Sequence, residues 1–152
     1  MTGAAPRFLL DHIGIAVPSL EEAMESFRRL FGTQTSMPEE VASQKVRIAF
    51  LDAGRTRIEL LEGTSAESAV SRFLAGGRSG VHHLSFRVEG MTIQAWFDEL
   101  RRRGVQVLGD GPHPGGGGAL VFFVHPRSAA GVLIEFTQRD STNRPAQEAE
   151  AR

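Results

Sequence analysis

The chain contains no cysteine. That absence excludes disulfides, thiolate nucleophiles and thiolate metal sites outright. Lysine is almost as scarce: Lys45 is the only one, so nearly all the positive charge is arginine. No apolar run approaches the roughly 20 residues of a membrane span, and Met1–Pro6 lacks the apolar stretch of a secretory leader. A cytoplasmic protein without a membrane partner is therefore expected. A net charge of -1 supplies no field of one sign to recruit nucleic acid. The 152 residues suit one domain, or two small modules sharing a core, and the 41% hydrophobic content suffices for a packed interior.

What is present is a unit written twice. Asp11-His12-Ile13-Gly14-Ile15-Ala16-Val17 and His82-His83-Leu84-Ser85-Phe86-Arg87-Val88 each read as a strand with histidine second and valine last. A helix follows each. Ser19 with Glu22 makes a capping box, and Leu20, Ala23, Met24, Phe27, Leu30 and Phe31 form one stripe that Gly32 ends. In the second copy, Thr92–Arg103 turns Ile93, Trp96, Phe97 and Leu100 inward, and Gly104 stops it. Strands are expected at Thr33–Ser36, Lys45–Asp52 and Thr56–Leu61, then at Val105–Leu108, Ala119–Val124 and Val132–Thr137. The spacings agree: His12 to His83 is 71 residues, Gly32 to Gly104 is 72, and Glu59 to Glu135 is 76. The modules are placed at 7–62 and 80–138, with a linker helix within 63–79 and a disordered polar tail over 139–152. The fold class is α+β: two tandem βαβββ modules forming one curved mixed sheet around a metal-binding cleft, helices outside.

Strand alternation aims the polar residues. His12 lies opposite Ile13, Ile15 and Val17, and His83 opposite Leu84, Phe86 and Val88. Glu59 lies opposite Ile58 and Leu60, and Glu135 opposite Ile134 and Phe136. If the apolar faces pack under the helices, these two imidazoles and two carboxylates converge inside the curve. Such a set suits a divalent ion (Co, Ni, Zn, Mn or Fe(II)) with positions left for water or substrate. Its use would be Lewis-acid polarisation of a substrate oxygen. A lone strand histidine is usually just a hydrogen-bonded residue; four residues at repeated places are not so easily dismissed. His82 falls on the apolar face by alternation, aligns with Asp11 in the repeat, and is read as structural.

The stretches Asp11–Val17, Ile58-Glu59-Leu60-Leu61, Gly80-Val81-His82-His83-Leu84, and His125-Pro126-Arg127 through Gly131–Glu135 resemble the vicinal oxygen chelate (glyoxalase) superfamily, most closely its methylmalonyl-CoA epimerases. They span about residues 9 to 137. The resemblance implies metal ligands at His12, Glu59, His83 and Glu135, with Co2+ first and Ni2+, Zn2+ or Mn2+ as alternatives. It implies an acyl-CoA thioester substrate, a homodimer, and epimerisation by proton removal and return between thioester and carboxylate, with Glu135 the first candidate for proton transfer. Two positions depart from the family pattern. Ile48 stands where some members carry a second acidic residue, leaving a water or Glu59 for that role. Ala119-Leu120 replaces a basic or polar residue, which bears on the CoA contacts.

The remaining features rank lower. Gly115–Gly118 lacks the Gly-Lys-Ser/Thr ending of a phosphate loop and reads as a mobile loop beside the cleft. Gln44, Lys45 and Arg47 read as a solvated strand edge. His125 and Ser128 have no third member for a triad, so the His125-Pro126-Arg127 turn is read as shaping the hairpin to Glu135. Two other functions remain open: a glyoxalase I-type isomerase, and a binding protein without turnover.

Overall fold

A computed structural model describes residues 5–77 and 80–139. Arg78 and Ser79 of the expected linker, and all of the expected tail except Arg139, lie outside the described residues. The elements run β1 (Arg7–Ala16), α1 (Leu20–Phe31), β2 (Glu39–Val41), β3 (Val46–Ala53), β4 (Thr56–Gly63), α2 (Ala69–Ala75), β5 (Gly80–Glu89), α3 (Ile93–Arg102), β6 (His113–Pro114), β7 (Leu120–Val124) and β8 (Ile134–Gln138). One eight-stranded sheet takes them in the order β2-β3-β4-β1-β5-β8-β7-β6. Each half is a βαβββ unit. The halves meet where β1 pairs antiparallel with β5, while β1 with β4 and β5 with β8 are parallel pairs.

The helices begin and end where their caps dictate. Ser19 Oγ accepts from Glu22 N–H, and Gly32 takes the left-handed conformation, φ 66°, that closes α1. Thr92 caps α3 through Ala95 N–H. On the outer face, α1 packs Leu20 with Ala23, Met24 and Phe27 against Ile15, Ala49, Ile58 and Leu60. α3 does the same with Ile93, Trp96, Phe97 and Leu100 against Val88, Phe122, Val124, Ile134 and Phe136. Fully buried side chains of this size each contribute about 2–3 kcal/mol. The expected α1 stripe outlasts its packing: Leu30 is 74% exposed and Phe31 55%. The linker helix α2 takes a different side. Its Val70, with Phe73 and Leu74, packs on Ala16, Val46, Ile48 and Leu61, residues that share the inner face with His12 and Glu59.

Two expected strands are corrected. Thr33–Ser36 holds no strand; the second strand of that half is Glu39–Val41, expected as loop, which pairs with Val46–Ile48. Val105–Leu108 runs beside β7 with a single bridge, Val107 to Val124, and the edge strand is His113–Pro114 instead. Both are short edge strands. Their place depends on which neighbour offers free backbone groups, and so short a segment carries too little alternation to announce it.

The β1–β5 seam contains two β-bulges. Leu10 pairs with Phe86 and His12 with Ser85, so Asp11 is an extra residue in β1. Gly14 pairs with His83 and Ile15 with Val81, so His82 is an extra residue in β5. A bulge re-aims side chains and reverses strand parity. Below the Asp11 bulge, Phe8 therefore joins the second half's outer core, 4.8 Å from Trp96 between ring centroids.

Candidate metal centre

The inner face brings all four expected residues together from four strands: His12 from β1, Glu59 from β4, His83 from β5 and Glu135 from β8. Each is at most 5% exposed. His12 Nε2 lies 3.3 Å from His83 Nε2, 3.3 Å from Glu59 Oε2 and 3.4 Å from Glu135 Oε1. His83 Nε2 lies 3.4 Å from Glu59 Oε2. Donor atoms of His12, His83 and Glu135 all fall within 4.8 Å of one another. Two donors about 2.1 Å from a common ion stand roughly 3.0–3.4 Å apart at octahedral or tetrahedral angles. The spacing of His12, His83 and Glu135 therefore suits one divalent ion, and Glu59 Oε2 lies within 3.4 Å of both imidazoles, with no soft ligand among these residues.

A second ring of residues holds the donors. Asp11 Oδ2 lies 2.8 Å from His12 Nδ1, so Nδ1 carries the proton and Nε2 is left to face the cluster. Asp11 is itself held by Arg57 at 2.7 Å and Arg87 at 3.6 Å. The sequence by itself gives Asp11 no site role; its one signal there is the repeat, which aligns it with His82. His82 Nδ1 lies 3.0 Å from His83 Nδ1. The bulge thus overturns the placement of His82 on the apolar face by alternation. Ser85 Oγ donates to Glu135 Oε1 at 2.6 Å. Phe50 stands edge-on to His12 at 5.7 Å, and Phe123 edge-on to His83 at 5.8 Å, so the pseudo-twofold relation extends to the flanking aromatics.

Electrostatics follow from this packing. Burial works against charge on His12, but hydrogen bonds to Asp11 and Glu59 and the charges of Glu59 and Glu135 raise it from 6.5 to about 10. Burial pushes Glu59 up, yet His12 and His83 hold it below the usual carboxylate range. Glu135 goes the other way: burial, with Glu59's charge adding to it, raises it despite the nearby imidazoles. Asp11 is held well below its ordinary range, against burial, by His12 and Arg57. Burial and the charge of His83 lower His82 to about 4.

Beside the cluster, the cleft is walled by Ile48, Phe50, Val121 and Gly116. Ile48 is 1% exposed, and a Cβ on Gly116 would stand 2.3 Å from Ile48 Cδ1. The glycine turn read as a mobile loop is tied to the first half: Gly117 N–H donates to the Glu39 carboxylate at 3.1 Å. Ala119 is buried and Leu120 exposed. Arg47 is paired with Glu21 and Glu62, away from the cluster. His125 Nδ1 accepts from Arg127 N–H, and Ser128 Oγ from Gln106 N–H, so both serve the turn before β8.

The chain belongs to the Glyoxalase/Bleomycin resistance protein/Dioxygenase superfamily, whose family model matches residues 11–123. Within it, the chain is 36% identical over 131 residues to the ethylmalonyl-CoA/methylmalonyl-CoA epimerase of Cereibacter sphaeroides, covering 85% of this chain and 96% of that protein. A variant of the Streptomyces coelicolor methylmalonyl-CoA epimerase, solved in complex with 2-nitronate-propionyl-CoA, superposes with a TM-score of 0.80 at 35% identity, covering 90% of this chain and 97% of that one. A hypothetical protein from Bacillus halodurans superposes with a TM-score of 0.82 at 39% identity, covering 91% and 99%.

Proposed function

We propose that this chain is a methylmalonyl-CoA epimerase that works with a divalent ion held by His12, Glu59, His83 and Glu135. The observation that carries the reading is the meeting of two buried carboxylates and two buried imidazoles, one pair from each half, in a cleft on the framework of the epimerases it resembles. When bound, the ion supplies Lewis-acid stabilisation to the oxygens of a 2-substituted malonyl thioester. The residues supply the proton movements. Glu135, raised by burial and hydrogen-bonded by Ser85, is suited to accept and return a proton at the carbon between the two carbonyls. Epimerisation requires a second group, and Ile48 has no proton to transfer. Glu59 fills that role: one carboxylate oxygen contacts the histidines, and the other lies 3.5 Å from where a Gly116 Cβ would sit, on the Ile48 side. The apolar wall limits access of water that would otherwise protonate the carbanion.

The same reading carries Co2+ as the ion, an acyl-CoA thioester as partner, a homodimer and a cytoplasmic location. The test is direct. Co2+-loaded protein is incubated with one methylmalonyl-CoA epimer in deuterated water. Deuterium appearing at the 2-position with loss of stereochemistry is the expected result. Turnover of a glutathione hemithioacetal without exchange assigns a glyoxalase I-type isomerase instead. Tight binding with neither reaction assigns a binding protein.

A further inference from the structure

We propose that His82 is the positioning residue for His83: it accepts a hydrogen bond from His83 Nδ1–H and so keeps His83 Nε2 bare and aimed into the cluster. This rests on the reading that His83 is a metal ligand. The basis is the seam between the halves. Asp11 and His82 are the extra residues of its two bulges, and each immediately precedes a histidine of the cluster. Without the bulges, alternation would send both to the opposite face from their neighbours. With them, each turns back on the next residue. Asp11 Oδ2 reaches His12 Nδ1 at 2.8 Å, and His82 Nδ1 reaches His83 Nδ1 at 3.0 Å. Two ring nitrogens at that separation need one proton between them. A ligand whose Nε2 faces the ion must carry its proton on Nδ1, so His83 donates and His82 accepts.

The surroundings of His82 fix it for this task. Its ring meets Phe73 of α2 in a T-shaped contact, with centroids 5.0 Å apart and planes at 78°. Its own helix-side packing therefore comes from the linker between the halves, which ties that linker to the centre. On the far side of His83, Phe123 and the bare Cα of Gly14 confine the ring. The two cluster histidines are consequently not equivalent. His12 is backed by a carboxylate paired with two guanidinium groups, and His83 by an imidazole against an aromatic ring. A carboxylate partner raises the donor strength of an imidazole, whereas an imidazole partner chiefly orients it.

The test uses the full chain labelled with 15N and loaded with Zn2+, alongside titration with Co2+. In the parent, His83 Nδ1 is expected to carry the proton, with a scalar coupling across the N–H···N bridge to an unprotonated His82 Nδ1. His82→Phe keeps a ring against Phe73 but removes the acceptor; it is expected to weaken Co2+ binding about 10–100-fold. His82→Asn returns an acceptor at the position Asp11 uses, and is expected to bind Co2+ within about threefold of the parent by the same orienting principle. A protonated His82 Nδ1 in the Zn2+ form, or unchanged Co2+ affinity in His82→Phe, overturns the assignment while leaving the metal site standing. Should His82→Phe not fold, the bridge coupling in the parent and the affinity of His82→Asn decide. A parent that binds neither ion removes the ligand reading and this role with it.

Discussion

Gly14 lies directly across the β1–β5 seam from His83, and a Cβ on Gly14 would stand 2.2 Å from Cε1 of that imidazole. The ring lies over a backbone that only glycine leaves open. It cannot simply swing away, because His82 Nδ1 lies 3.0 Å from its Nδ1 and Phe123 packs against it in a T-shaped contact. Gly14→Ala is therefore expected to keep the fold, read by circular dichroism, while weakening Co2+ binding by at least about tenfold through displacement of one donor. Parent-like affinity in a folded Gly14→Ala would mean that His83 is not a ligand in this pose.

Asp11 joins the donor set to two arginines. It is 7% exposed, and removing it takes the 2.7 Å carboxylate partner from the partly buried Arg57 and leaves a void beside His12, while Arg87 keeps Glu89. Asp11→Ala is expected to cost about 3 kcal/mol in urea denaturation of the metal-free protein, the scale for breaking a buried ion pair. It should also reduce Co2+ affinity about 10–100-fold, because His12 loses the group that fixes its tautomer. A stability loss below about 1 kcal/mol would place this network with weak surface pairs.

The pH dependence has a definite sign. The folded pKa of His12 is raised from 6.5 to about 10 by its acidic neighbours. In the metal-free protein the stabilisation from protonated His12 is therefore complete below 6.5 and lost as pH rises toward 10. Thermal melting of metal-free protein should fall over that window. Metal uptake must displace the same proton, so apparent Co2+ affinity should climb about tenfold per pH unit below that value. A metal-free melting temperature that is flat from pH 6.5 to 10 would contradict the charged cluster.

The two carboxylates should separate by kinetics. Glu135→Ala is expected to lose both Co2+ binding and activity. Glu59→Gln keeps an oxygen donor but cannot shuttle a proton, so it should retain Co2+ and lose epimerisation by about 10²–10⁴-fold. Deuterium exchange without inversion, starting from one epimer, should persist in Glu59→Gln through Glu135. Full epimerisation in that variant would hand the second proton transfer to water.

Much of this was written in the chain itself. The doubled His–Val strands, the Ser19 and Thr92 caps and the glycine stops at Gly32 and Gly104 mark two equivalent halves. Alternation alone placed His12, Glu59, His83 and Glu135 on one face, because a strand has a period of two and their neighbours are apolar. What alternation could not show is where it breaks. The bulges at Asp11 and His82 exist only because the β1–β5 register shifts at these residues, a relation between strands far apart in the chain. They turn His82, which alternation places on the apolar face, and Asp11, its counterpart in the repeat, into the supports of the cluster. The need for glycine at Gly14, the Ser85 bond to Glu135 and the Ile48–Gly116 wall arise in the same way, from strands brought side by side. Local pattern decided which residues face the cleft; tertiary pairing decided which groups hold them there.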